Sequence, residues 1–221
     1  MDIMQRFSEI IRVDSPIVLE LGACDGWHTD IMCRIIKQLG IQNYQFHSFE
    51  PSSELASQVL SRNASHFPNL RFVPAAVGNV DGTIEFHISS GTETRPDVHK
   101  QNFYGSSSIK SPDRCTEYWP DMKFRTAKCK CYRLDTYCEQ AGIQKVDFIW
   151  SDIQGAERDM IEGGQKILSN TRYLYTEISG GNLYKDTGYE NANDLIALLP
   201  GKWEMVEDYG YDVLLRNVSL T

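Results

Sequence analysis

Apolar positions along the chain recur with two periods, about 3.6 residues in some stretches and about two in others, and the two kinds of stretch alternate. Helical spacing over Met4–Val13 predicts a short helix, which Asp14-Ser15-Pro16 breaks before the apolar run Ile17-Val18-Leu19 of a first strand. After a glycine-rich turn, Thr29–Leu39 puts Ile31, Ile35, Ile36 and Leu39 on one face and stops at Gly40. Tyr44–Phe49 reads as a second strand, Ser52–Asn63 as a serine-capped helix, and Leu70–Pro74 as a third strand.

Gly78–Gly82 is a turn and Thr83–Ile88 alternates as a strand. Ser89–Lys128 then carries Gly, Ser, Pro and charge with little periodicity, and is expected to be a loop excursion on the substrate side. Lys128–Tyr132 looks extended, Leu134–Ala141 helical, and Val146–Trp150 a buried strand running into Ser151-Asp152. A helix over Glu157–Leu168 and a strand over Tyr173–Ile178 follow, the strand delivering Glu177 at its carboxyl end. Asn193–Leu199 predicts a last helix, and Trp203–Glu207 and Tyr211–Arg216 two strands about Asp208-Tyr209-Gly210. The alternation is that of βαβ units. It predicts one α/β domain over residues 1–221: a seven-stranded, mostly parallel sheet with a C-terminal antiparallel hairpin and helices on both faces.

Composition narrows the partners. Twenty-two basic against thirty acidic residues give a net charge of −8, which disfavours a nucleic-acid footprint or an anionic membrane as partner. A small neutral or cationic partner fits better. The N-terminal segment lacks the basic start and apolar run of a signal peptide and no stretch has the length of a membrane span, so the expected location is cytoplasmic. The six cysteines show no zinc-knuckle spacing, and Cys129 and Cys131 read as neighbours on one face of an extended segment; reduced thiols are expected.

The strand that enters Glu20-Leu21-Gly22-Ala23-Cys24-Asp25-Gly26 and leaves as a helix has the context of a cofactor loop. Gly22 and Gly26 allow a tight turn close to a ligand, where a Cβ would take the space of the cofactor. A dinucleotide loop calls for a third glycine where this chain has Cys24, which argues against a nicotinamide cofactor. Phe49-Glu50-Pro51 puts a carboxylate at the next strand end, where it can accept hydrogen bonds from two ribose hydroxyls. A plain turn at the glycines and a helix cap at Glu50 are the alternative readings.

These motifs resemble the FkbM-type family of S-adenosylmethionine-dependent methyltransferases. The resemblance runs through Glu20-Leu21-Gly22-Ala23, Phe49-Glu50-Pro51, Ala75-Ala76-Val77-Gly78, Gly105-Ser106-Ser107-Ser108, Val146-Asp147-Phe148-Ile149 and, most clearly, Asp152-Ile153-Gln154-Gly155-Ala156-Glu157. It covers about Val18 to Ile178 and implies the Rossmann-like class I methyltransferase fold. It further implies that S-adenosylmethionine is the cofactor, with Glu20, Gly22, Ala23 and Gly26 around its methionine end, Glu50 on the ribose, Ala76 near the adenine and Asp152 facing the transferred methyl group. The family often carries a lysine where this chain has Trp150, ahead of a hydrophobic position that is Ser151 here, so no role for that lysine carries over.

Methyl transfer needs an aligned acceptor whose proton is removed. Asp152 and Glu177 are the candidate catalytic residues, acting on the proton directly or holding a divalent metal such as magnesium. His28 is either a base or a first-turn helix residue. Ser106–Ser108 and the aromatics Tyr104, Tyr118, Trp119 and Phe124 are either acceptor contacts or ordinary loop packing. Glu157 either meets substrate or favours the positive end of its helix. The resemblance implies O-methylation of a hydroxyl on a sugar, glycolipid or secondary metabolite, making the partner a small-molecule or carbohydrate acceptor. N-methylation, a catalytically silent S-adenosylmethionine-binding module and, less well supported, a dinucleotide-dependent oxidoreductase stay open.

Overall fold

Among the residues that the computed structural model describes (2–63, 66–91, 104–178 and 183–220), ten strands form two sheets. The strands are β1 (Ile17–Leu21), β2 (Gln45–Phe49), β3 (Leu70–Val73), β4 (Ala76–Val77), β5 (Gly82–Ser90), β6 (Lys123–Tyr132), β7 (Val146–Ser151), β8 (Thr171–Glu177), β9 (Trp203–Asp208) and β10 (Asp212–Asn217). The main sheet has the order β3-β2-β1-β7-β8-β10-β9. β1 pairs in parallel with β2 and β7, which pair in parallel with β3 and β8. β10 runs antiparallel between β8 and β9. The expected seven-stranded, mostly parallel sheet with a terminal hairpin is therefore present.

Strand alternation sends side chains to two cores. Leu19, Leu21, Ile149, Val213 and Leu215 face one core with α5 (Leu134–Ala141), α6 (Glu157–Gly163), α7 (Gln165–Ser169) and α8 (Ala192–Leu198). Val18, Phe148, Trp150, Tyr175 and Leu214 face the other with α1 (Ile3–Ile10) and α2 (Trp27–Gln38). α3 (Ser53–Asn63) packs beside α2, and α4 (Cys115–Tyr118) lies in the excursion. Both faces carry helices, as period-2 strands flanked by amphipathic segments require.

Two local expectations are corrected. Ser89–Lys128 is not a continuous excursion: β5 and β6 pair antiparallel from Gly82↔Cys131 to Ser90↔Lys123, and β4 joins β6 to complete a three-stranded sheet. The first half of β6 escaped the pattern because it carries Lys123, Arg125 and Thr126 at exposed positions. The excursion reduces to 91–122, of which 92–103 lie outside the described residues. The helix expected over Glu157–Leu168 is two helices. A Cβ on Gly163 would collide with the carbonyl of Gly78, so the chain runs against that turn, and α7 restarts with Asp135 of α5 accepting from the N–H groups of Lys166 and Ile167 at 3.1 and 2.8 Å.

All six cysteines are free thiols, and Cys129 and Cys131 lie buried together on β6. Among the described residues no helix is long and apolar enough to cross a membrane.

Candidate active site

A cleft of about 1360 Å³ opens where β1, β2, β7 and β8 end, at the carboxyl edge of the sheet. Ligands of open α/β sheets bind at this edge. Its floor is the turn after β1. The N–H groups of Gly22 and Ala23 donate to the carbonyl of Phe49 at 3.1 and 2.9 Å, Gly26 closes the turn on Ala23, and Asp25 accepts from the N–H of Trp27 as α2 begins. Gly22 and Gly26 have φ of 85° and 78°, and Cys24 shares the left-handed region at 50°. Gly22 lines the cleft, and a Cβ there would collide with the main-chain carbonyl of Asp152, so the residue also serves the close approach of the turn after β1 to the end of β7.

Glu50 ends β2 inside the cleft and is 4% exposed. Its Oε2 accepts from the N–H of Cys24 at 2.9 Å and its Oε1 from that of Ser52 at 2.7 Å. The carboxylate thus ties the glycine loop to the entrance of α3 while each oxygen keeps acceptor capacity for a ligand. Burial pushes its pKa up to about 7, against the two N–H groups that favour the charged form. Ala23 and Ala76 line the same cleft, Ala76 in an apolar wall with Phe49, Leu55, Ala75 and Val77. Glu20 and Gly26 do not line it. Glu20 is held beneath the loop, 1% exposed, by the hydroxyls of Thr29 and Ser48 at 2.5 and 2.7 Å, and burial lifts it to about 7 as well.

Asp152 and Glu177, half-buried at the ends of adjacent parallel strands, both face the cleft. Between them stands Gln154, which sequence reasoning missed: its amide nitrogen donates to Asp152 Oδ1 at 2.7 Å and to Glu177 Oε2 at 2.5 Å. Its Oε1 lies 3.1 Å from the hydroxyl of Tyr184, which also lies 2.8 Å from the carbonyl of Ser106. Gln154 has φ of 55°, unusual for a residue with a side chain, and next to it the Cβ position of Gly155 (φ 89°) is crowded by Tyr184 and Thr187. Glu157 is fully buried, accepting from the Tyr189 hydroxyl at 2.6 Å and the N–H of Ile153 at 3.2 Å, and it too is pushed up to about 7 by burial. It pins the loop after β7 to the segment before α8.

The serine run is built in rather than loose. Ser107 Oγ accepts from the N–H of Ser89, Ser106 donates its N–H to Ser89 Oγ, and Ser108 reaches the carbonyl of Ile153. Tyr104, Tyr118 and Trp119 line the cleft, whereas Phe124 packs against Cys115, Met122 and Tyr184. Trp27 and Tyr211 add two more aromatic faces to the wall, 59% and 76% exposed. His28 also lines it and stacks on Trp150 with ring centroids 4.6 Å apart.

Among the described residues no group of three or more His, Cys, Asp or Glu is arranged to hold a metal. The facing oxygens of Asp152 and Glu177 already accept from one amide, an arrangement that does not fit a divalent cation. S-Adenosylmethionine fits better: the apolar wall suits an adenine, Glu50 has lone pairs for ribose hydroxyls, and the loop after β1 suits the methionine portion.

The family model of the methyltransferase FkbM domain matches residues 20–213. A 2-O-methyltransferase, NoeI, of Sinorhizobium fredii is 30% identical over 216 residues, covering 96% of this chain and 83% of that protein. An O-methyltransferase from Bacillus cereus, solved in complex with SAH, superposes with a TM-score of 0.51 at 13% identity, covering 96% of this chain and 78% of that one. The architecture is that of the class I methyltransferases.

Proposed function

Because the chain belongs to the FkbM methyltransferase family, we propose that it is an S-adenosylmethionine-dependent O-methyltransferase whose acceptor is a hydroxyl of a small molecule or carbohydrate. The observation that carries this reading is the meeting of the glycine loop, Glu50 and the Asp152–Glu177 pair in one cleft. The 2-O-methyltransferase relative supports oxygen as the acceptor atom. The exposed aromatic faces of Trp27, Tyr118 and Tyr211 in the cleft wall support a ring-bearing acceptor, and the net charge of −8 speaks against a nucleic acid.

S-Adenosylmethionine supplies an electrophilic methyl group on a sulfonium. Glu50 would take the ribose hydroxyls, the apolar wall around Ala76 the adenine, and the turn after β1 the methionine end. Asp152, at the end of β7, would take the proton of the acceptor hydroxyl as its oxygen is methylated. The amide of Gln154 donates to that carboxylate at 2.7 Å.

The test is incubation with methyl-labelled S-adenosylmethionine and a panel of free sugars, oligosaccharides, glycolipids and hydroxylated ring compounds, with product ethers identified by mass spectrometry. Label in an O-methyl ether is the expected result. Label only on nitrogen, or none with any acceptor despite tight cofactor binding, overturns O-methyl transfer.

A further inference from the structure

We propose that Gln154 is a positioning residue that holds Asp152 and Glu177 together as one acceptor-side unit, with Tyr184 fixing the orientation of its amide. The inference deepens the methyl-transfer reading above and rests on it for the role of the carboxylates.

Parallel strands place the two acids side by side. Ser151 pairs with Thr176, so Asp152 and Glu177 follow at neighbouring strand ends, a spacing of about 5 Å between backbones. Asp212 of β10 is registered opposite Glu177, which makes a row of three carboxyl groups across the sheet edge. Glu157 lies nearby, and the charge of Asp152 is felt at Glu157, Tyr175 and Asp212, that of Glu177 at Tyr184 and Tyr189. Two like charges so placed repel and turn away from each other unless something holds them. An amide –NH₂ has two donors and no charge. Gln154 directs both, one to each acid, at 2.7 and 2.5 Å.

The orientation is dictated chemically. Reversed, the amide would set its carbonyl oxygen against two carboxylates and its N–H groups toward Tyr184. Tyr184 is 3% exposed and packs with Cys115 and Met122, so its hydroxyl is a fixed post between Gln154 and the Ser106 carbonyl. The backbone adds a second, independent sign. Of the described non-glycine residues, four have positive φ, and two of them, Cys24 and Gln154, line this cleft. A left-handed conformation at a residue with a long side chain persists where the surroundings demand that side chain's placement.

The left-handed backbone also provides a clean variant. Gln154→Gly removes the bridge while adopting φ near 55° without strain, so it is expected to fold, as a melting curve checks. Gln154→Glu keeps the shape and loses the donors. Tyr184→Phe releases the amide. The decisive reading is a ¹³C titration of the side-chain carboxyls of Asp152 and Glu177 in protein saturated with S-adenosylhomocysteine, which needs no acceptor. Losing the donors and the enforced proximity changes the surroundings of both acids, so both midpoints in Gln154→Gly are expected to differ from those of the parent. With an acceptor found for the parent, kcat should fall about 100-fold, the acid limb of the pH–rate profile should move with the midpoints, and affinity for S-adenosylhomocysteine should stay within about threefold. Gln154→Glu should not restore kcat. Carboxyl midpoints identical in parent and Gln154→Gly overturn the bridge, and shifted midpoints with parental kcat overturn its role in positioning. Failure of the parent to methylate any acceptor would instead strike the methyl-transfer reading and leave the titration to decide the bridge.

Discussion

Gly22 and Asp152, 130 residues apart in sequence, meet so closely that a Cβ on the glycine would collide with the aspartate's carbonyl, while the N–H of Asp152 donates to Leu21 at 3.0 Å. The turn after β1 and the end of β7 are thereby locked together. Moving either moves the other.

Gly22→Ala is therefore expected to be severe. The left-handed φ of 85° costs alanine about 1–2 kcal/mol, and parting β1 from β7 adds to it, for a total on the order of 3 kcal/mol. Urea unfolding should show the lowered midpoint, and affinity for S-adenosylhomocysteine should fall with it. An alanine variant with parental stability would contradict the close approach.

Glu50→Gln keeps shape and removes charge. If the carboxylate takes the ribose hydroxyls by charge-assisted hydrogen bonds, affinity for S-adenosylmethionine should weaken by about 2–3 kcal/mol, read by calorimetry. Unchanged affinity would remove Glu50 from the ribose site.

Burial holds Glu50 near pKa 7 in the free protein, and its charged form is the better acceptor for ribose hydroxyls. Cofactor affinity should thus rise as pH increases from about 6 to about 8, with proton release on binding visible as a dependence of the calorimetric heat on buffer ionisation. Stability of the unliganded protein should run the other way. Glu20, Glu50 and Glu157 are all raised to about 7, so each contributes stability that is full below its unfolded pKa and is lost as pH rises through the folded one. His47, lowered to about 4 by burial, opposes them, its contribution being present above the unfolded pKa and lost as pH falls. Asp212, raised to about 6 by burial, acts with the glutamates over the lower part of this range, and four groups against one predict a lower urea midpoint at about pH 8 than at about pH 5.5.

Asp152→Asn should lower kcat by at least about 100-fold and leave cofactor affinity nearly intact, because its charge serves the acceptor proton. Equal losses in both would make Asp152 a cofactor ligand instead.

What could be read in the sequence was local. The β1–turn–α2 unit, Glu50 at the end of β2 and the acids ending β7 and β8 each declare themselves within a dozen residues through periodicity and glycine spacing. What could not be read depends on distant partners. The need for glycine at position 22 comes from Asp152, the break at Gly164 from Gly78 and Asp135, and the pairing of β6 from β5 despite charges on its exposed positions. Gln154 lay in plain view inside the clearest motif, yet its task emerges only when Glu177 and Tyr184 fold against it. Tyr184 and Tyr189 belong to a segment without periodicity, which gave no signal that two buried hydroxyls would anchor the loop after β7.

The most direct measurement is a calorimetric titration of the purified protein with S-adenosylmethionine, S-adenosylhomocysteine and NAD in parallel. Saturable binding of the first two at a single site, with no binding of NAD and with both affinities weakened in Glu50→Gln, is the predicted result. Absence of binding by the methyl donor and its product, or a preference for NAD, would contradict the account.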